Sequence, residues 1–186
     1  NCHVVSNGVD AGPFADALQH FAKTAKKPFT LCYCGSIGAQ YRLPEMLDIA
    51  CKMKTQIPEL QFRLFSQYED VVQRALKDKG LHEENWIDCK AVPSEKVPDE
   101  LAQCDLGIAL REPSFSTQAI LPIKLGEYLL AGLPVIGTPG VGNTEQLCEF
   151  GVFRSAEAYD LEKTLSWVVD EVLPNRALMR EKSHAA

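Results

Sequence analysis

The sequence predicts an α/β fold: a Rossmann-like parallel sheet with helices on both of its faces. Short apolar runs of strand length alternate with amphipathic stretches whose apolar residues recur every three to four positions. Repeated units of strand, loop and helix place successive strands parallel, joined by right-handed crossovers. Ligands of such sheets bind at the carboxyl ends of the strands, where loops lead into helices. The loops at 35–42 and 111–122 therefore become the candidate ligand loops.

The apolar runs and the turn residues between them define the predicted elements. Each strand is a short run of β-branched, aromatic or other apolar residues that ends at a polar or glycine-containing turn. We predict strands at 28–34, 60–65, 85–90, 106–110, 133–137 and 151–154. Each helix shows 3.6-residue spacing, and proline in the first turn supports those at 43–56 and 122–131. We predict helices at 43–56, 71–80, 97–103, 122–131, 143–148 and 159–172.

The length and charge of the chain limit its class. The 186 residues are 46% hydrophobic, which suits one domain, with 1–27 leading into a core at 28–186. The formal net charge of −6 argues against nucleic acid or an anionic membrane as the main partner. Because the chain begins with Asn1 rather than Met, we expect a processed product or a piece of a longer protein.

The cysteines and histidines predict no metal site. Seven cysteines, an odd number, are scattered through apolar segments, as reduced thiols in a cytoplasmic protein are. The four histidines lie apart from one another, without a metal-binding frame such as HExxH.

Gly35-Ser36-Ile37-Gly38 is the first candidate site. It follows a predicted strand, so backbone N–H groups and the next helix end can approach an oxyanion. The turn lacks the third glycine of a dinucleotide fingerprint and the Gly-Lys-Ser/Thr of a Walker loop. An ordinary tight turn is the alternative. Arg111, after the strand at 106–110, is either a phosphate ligand or a polar residue at a strand end.

Lys124 and Glu127 form the second candidate, because their spacing places them on one helix face. A lysine near a helix N-terminus supplies positive charge for a phosphate. A glutamate can accept hydrogen bonds from both vicinal hydroxyls of a ribose. The alternative is an exposed Lys–Glu pair worth about 0.2–0.5 kcal/mol. The spacing alone leaves both interpretations open.

The run at 122–136 resembles the donor-site segment of retaining glycosyltransferases of the GT-B fold, in the family-4-like group. Further stretches resemble the same group in the same order, namely 7–10 with Phe14, 33–36, 101–107 and 140–145. The resemblance implies that the chain is the C-terminal, donor-binding domain, one half of a GT-B fold. The N-terminal domain of the same enzyme would then lie outside these residues.

The resemblance also implies roles for particular residues. Glu127 would hold the donor ribose, and Gly35 and Ser36 would lie against the diphosphate. Other residues expected near the diphosphate are Arg111, Ser116, Thr117 and Lys124. In this fold the diphosphate is usually neutralised by side chains and a helix end, so we expect no metal and no other cofactor.

The sequence departs from the family pattern at three positions. Many members carry two glutamates separated by seven residues, and the first of these positions is Ala119 here. Members also often carry Arg and Lys where this chain has Ser36 and Tyr41. Cations for the diphosphate would therefore come from Lys124, Arg42 and Arg111.

The resemblance thus implies part of a hexosyltransferase-like enzyme. It would transfer a sugar, with retained anomeric configuration, from a nucleotide diphosphate sugar to a saccharide or lipid-linked acceptor. Its partners would be the donor, an acceptor glycan or glycolipid, and the N-terminal domain. The full-length enzyme would be cytoplasmic, with the inner face of the membrane as a further expected location. A nucleotide-sugar epimerase and a non-catalytic nucleotide-binding or interaction module are the alternatives.

Overall fold

The structure, a computed structural model, describes residues 8–21, 28–114, 122–141 and 144–186. In these ranges six parallel strands form one sheet, in the order β3-β2-β1-β4-β5-β6. The strands are β1 (Thr30–Cys34), β2 (Gln61–Phe65), β3 (Ile87–Lys90), β4 (Leu106–Ala109), β5 (Val135–Gly137) and β6 (Phe153–Ser155). The predicted fold class is confirmed, and every strand overlaps a predicted run.

The helices of the described residues agree with the prediction less completely. They are α1 (Gly12–Phe21), α2 (Leu43–Gln56), α3 (Glu69–Asp78), α4 (Val97–Leu101), α5 (Ile123–Leu130), α6 (Thr144–Glu149), α7 (Leu161–Trp167) and α8 (Arg176–Ala185). The single helix predicted at 159–172 is wrong in detail, because Val168–Val172 continues α7 as a π-helical turn. None of the described helices is both long and apolar enough to span a lipid bilayer.

The strand order creates a topological switch point between β1 and β4. The chain moves outward from β1 through β2 to β3, then returns to pair β4 with the other side of β1. The loops after β1 and β4 therefore diverge, and a crevice opens at the carboxyl ends of these two strands. The loops at 35–42 and 111–122 begin at this edge of the sheet.

The core lies on both faces of the sheet. Along β1, Leu31 and Tyr33 face one apolar cluster and Cys32 and Cys34 face the other, because side chains alternate along a strand. The first cluster includes residues of α2, α3 and α7, and the second includes residues of α1, α4, α5 and α6. Both cysteines are buried, so their thiols belong to the core.

The C-terminal helix α8 is fastened by an arginine. Arg180 donates hydrogen bonds to the carbonyl oxygens of Ala131, at 2.9 Å, and Cys104, at 2.6 Å. Gly132 makes this approach possible, since a Cβ on it would lie 2.4 Å from Cγ of Arg180. Its φ of +72° also ends α5 in the left-handed conformation that glycine favours after a helix. The end of α5 is thereby tied to α8.

Candidate functional site

A cavity of about 480 Å³ opens at the carboxyl ends of β1 and β4, beside the start of α5. This volume lies within the usual range for small-molecule sites. The structure brings five predicted site residues to its wall: Gly35, Ser36, Arg111, Lys124 and Glu127. The remaining two, Ser116 and Thr117, lie outside the described residues, as does Ala119.

Gly35 is required at the first turn by both its conformation and its surroundings. Its φ of +133° is disfavoured for residues with a side chain. The side chain of Lys124 lies directly over it, so a Cβ would stand 2.7 Å from Cε and 2.8 Å from Nζ of that lysine. The turn is thus shaped to admit the lysine.

Lys124 is held by aromatic rings. Its Nζ donates a 2.7 Å hydrogen bond to the Oη of Tyr33. The same Nζ lies 4.1 Å from the ring centre of Tyr33 and 4.5 Å from that of Tyr41, within the range of cation–π attraction. Tyr33 in turn donates a short hydrogen bond to the carbonyl oxygen of Ser36. The ammonium group therefore lies against the wall of the cavity, beside the glycine turn.

Burial changes the titration of the groups around Lys124. Burial lowers the pKa of Lys124 from 10.5 to about 8, although Cys34 and Glu127 oppose the change. Burial also raises the pKa of the Glu127 carboxyl, and Lys124 opposes that change. The pKa of the Cys34 thiol rises to about 12, chiefly through burial and then through Glu127. At neutral pH the cavity therefore holds a protonated lysine and an un-ionised thiol.

Arg111 adds a second cation to the same cavity. Its Cζ lies 5.8 Å from the ring centre of Tyr41. Its backbone N–H donates to the Oγ1 of Thr138 at 3.0 Å, which ties the loop after β4 to the end of β5. Its Nε is buried and has no hydrogen-bond partner among the residues that the structure describes. Buried donors of this kind are usually satisfied, so the site lacks an acceptor that a ligand can supply.

Arg42 does not serve as a third cation of the cavity, contrary to the expectation from sequence. It forms an ion pair with Glu157 at 2.9 Å and also faces Glu45 at 3.6 Å and Glu112 at 3.9 Å. The three carboxylates already neutralise its charge. Through Glu112 and Glu157 it connects the loop after β1 to the segments that follow β4 and β6, and it does so in a left-handed conformation, with φ of +50°.

Tyr128 fixes the switch point from beneath the cavity. Its Oη accepts a 2.8 Å hydrogen bond from the N–H of Cys34 and donates a 3.3 Å hydrogen bond to the carbonyl oxygen of Ile108. Gly107 provides room for the ring, because a Cβ there would lie 2.7 Å from Cδ2 of Tyr128. Since Tyr128 belongs to α5, this contact joins the helix that carries Lys124 and Glu127 to both central strands.

A second cavity, of about 300 Å³, adjoins the first. The two share Cys34, Gly35 and Ser36, and the second extends over the ends of β2 and β3. Tyr68, which is 44% exposed, presents its ring there among polar side chains. The two cavities together make an elongated groove that crosses the glycine turn.

The described residues contain no group of three or more His, Cys, Asp and Glu side chains that could hold a metal ion. Sequence reasoning missed three tyrosines of the site: Tyr33 and Tyr128 as supports, and Tyr41 as a contact of both cations. Their aromatic character was visible, but their partners lie up to about ninety residues away along the chain. Local spacing does not carry that information.

The fold has clear counterparts among solved structures. The C-terminal domain of the glycosyl transferase group 1 family protein LpcC from Francisella tularensis is similar over 96% of this chain and 95% of its own, with 14% identity and a TM-score of 0.66. This is the fold of a GT-B glycosyltransferase domain. Anabaena Alr3699/HepE, solved with UDP-glucose, is similar over 98% of this chain and 51% of its own, with 17% identity and a TM-score of 0.67.

The pneumococcal O-GlcNAc transferase GtfA, solved with UDP and GlcNAc, is similar over 87% of this chain and 33% of its own, with 14% identity and a TM-score of 0.62. The chain thus spans about half the length of HepE and about a third of GtfA. No protein-family model matches the sequence, and no curated protein matches it either.

Proposed function

We propose that the chain is the nucleotide-sugar donor-binding domain of a retaining glycosyltransferase. One observation carries the proposal. Two cations, Lys124 and Arg111, and one carboxylate, Glu127, line a single cavity beside a glycine turn at the switch point of the sheet. An anionic ligand that also carries vicinal hydroxyls suits this combination, and a nucleoside diphosphate has both features.

In this proposal each part of the donor binds to a different part of the groove. The ribose hydroxyls donate to Glu127, and the diphosphate lies over Gly35, between Lys124 and Arg111. The second cavity is adjacent, and there the Tyr68 ring offers a base a surface for stacking. The donor sugar then extends past Arg111, toward the side of the groove that the N-terminal domain would cover.

The chemistry follows from the charges. As the bond to the sugar breaks, negative charge builds up on the departing diphosphate, while the sugar becomes oxocarbenium-like. Lys124 and Arg111 stabilise the departing group by positioned positive charge, a large contribution when water is excluded. The proposed reaction requires no metal and no other cofactor.

The proposal extends to the parts beyond this chain. The full-length enzyme is a family-4-like, hexosyltransferase-like protein of the cytoplasm that acts on a glycan or glycolipid acceptor. Its N-terminal domain supplies the acceptor site. This chain alone then binds donor nucleotide and transfers little or no sugar.

Titration calorimetry with UDP, GDP, ADP and CMP tests the proposal. We expect at least one nucleoside diphosphate to bind, and Glu127→Gln to weaken that binding by about ten- to a hundredfold, because it removes charge-assisted hydrogen bonds. Glu59→Gln is the matched control, since Glu59 is exposed before β2, at the opposite edge of the sheet. Absence of binding to all four nucleotides in a folded sample would contradict the proposal, as would equal affinities for the two variants.

A further inference from the structure

The ring of Tyr41 lies within cation–π distance of both cations of the site. The centre of its ring is 4.5 Å from Nζ of Lys124 and 5.8 Å from Cζ of Arg111. These like charges repel each other, and the repulsion contributes to the lowered pKa of Lys124. Among the described ion pairs, none within 4 Å involves either cation. The electron-rich ring therefore attracts both cations at a position where a carboxylate could do the same.

The backbone around Tyr41 is well fixed. Tyr41 closes a 3-10 turn, Ala39–Tyr41, and its N–H donates to the carbonyl oxygen of Gly38 at 2.9 Å. The adjacent Arg42 is held by its three carboxylates. The loop after β4 is attached to the same turn, because the N–H of Glu112 donates to the carbonyl oxygen of Gln40 at 2.8 Å. The ring is thus a constrained part of the cavity wall.

A ring holds cations without consuming their hydrogen-bonding capacity. A carboxylate at this position would form ion pairs with the cations and compete with an anionic ligand. With an aromatic ring instead, Nε of Arg111 has no acceptor within the described part of the chain, and Lys124 keeps its charge close to the cavity. Two cations that contact one ring and line one cavity suit a ligand with two linked phosphate groups better than a ligand with one.

We propose that Tyr41 is a positioning residue whose ring holds Lys124 and Arg111 apart as a two-cation clamp, and that this clamp selects a diphosphate over a monophosphate. The inference rests on the proposed function, because it concerns the same donor site. It adds the residue that sets the spacing of the cations and the phosphate class that they select.

Calorimetry with the di- and monophosphates of uridine, guanosine and adenosine tests the inference. For the nucleoside that binds, Tyr41→Phe keeps the ring, and we expect its ratio of diphosphate to monophosphate affinity to stay within about twofold of the wild type. Tyr41→Leu removes the ring, and we expect the ratio to fall about tenfold. Tyr159→Leu is the matched control, because Tyr159 is 78% exposed and lies outside both cavities.

The ratio of diphosphate to monophosphate affinity distinguishes a loss of cation positioning from a general effect on folding. In Tyr41→Leu, monophosphate affinity should stay near that of the wild type, since a disrupted fold would weaken both ligands alike. An unchanged ratio in Tyr41→Leu overturns the inference, as does an equal loss of both ligands. A Tyr41→Phe variant as poor as Tyr41→Leu also overturns it, because the hydroxyl would then be the active group. If the wild type binds no nucleotide, the proposed function itself fails.

Discussion

Replacing Lys124 with Met should stabilise the domain while weakening its affinity for nucleotide. Met has nearly the same length as Lys and fits over Gly35, but it carries no charge. The buried charge of Lys124 therefore lowers the free energy of unfolding of the domain. In return, the same charge binds the nucleotide. Such trade-offs are common where a site must hold a charge away from water.

The size of the effect follows from the pKa. Lowering the pKa from 10.5 to about 8 corresponds to a cost of about 3 kcal/mol at pH 7. The Met side chain cannot form the two cation–π contacts or the hydrogen bond to Tyr33. Their loss reduces the gain in stability by about 1–2 kcal/mol. We therefore expect Lys124→Met to raise the free energy of unfolding by about 1–2 kcal/mol at pH 7.

The pH dependence gives the sharper test. Between pH 8 and pH 10.5 the folded wild type has lost the Lys124 proton, whereas the unfolded chain still holds it. The free energy of unfolding of the wild type should therefore rise with pH across this window, relative to Lys124→Met. From pH 7 to pH 9.5 the advantage of the variant should shrink by about 2 kcal/mol.

Urea denaturation of the wild type and the variant at these two pH values measures the effect. Lys52→Met is the control, because Lys52 is exposed on α2 and lies outside both cavities. A Lys124→Met variant that is less stable at pH 7, with a difference that does not change with pH, would refute the reasoning.

The remaining predictions concern the supports of the site and its titration. Gly35→Ala should lose about 1–2 kcal/mol of stability in urea denaturation, and should also bind nucleotide more weakly in calorimetry, because its φ is positive and a Cβ displaces Lys124. Tyr128→Phe should lose about 1–3 kcal/mol in the same denaturation assay, since it orphans the buried N–H of Cys34; no loss would contradict the role of that hydroxyl. Calorimetry across pH should show nucleoside diphosphate affinity falling above pH 8 in the wild type but not in Lys124→Met. A flat wild-type profile would argue against a charged Lys124 in the site.

The sequence was most informative where local pattern determines structure. Helix α2 occupies its predicted span because 3.6-residue spacing is combined with proline in the first turn. The helix α8 was missed, and its attachment depends on the half-buried Arg180 and two carbonyl oxygens far along the chain. A helix that is attached through a polar side chain is not revealed by the spacing of its apolar residues, so hydrophobic periodicity did not predict α8.

The site likewise combines residues that local sequence pattern predicted with contacts that only the tertiary structure reveals. Gly35, Lys124 and Glu127 were predicted as candidates because turn, spacing and family resemblance all pointed to them. The surroundings of Lys124 were not predictable, since Tyr33 and Tyr41 come from another unit of the fold and meet the lysine only through the strand order. Arg42 was expected to face a phosphate. Only the tertiary structure shows that it forms ion pairs with carboxylates instead, chiefly with Glu157.

A crystal structure of the chain with its best-binding nucleoside diphosphate tests the central claim most directly. The account predicts the ribose hydroxyls within hydrogen-bond distance of Glu127 and the diphosphate over Gly35, in contact with Lys124 and Arg111. A nucleotide bound elsewhere on the domain, or one whose phosphates point away from both cations, would contradict it.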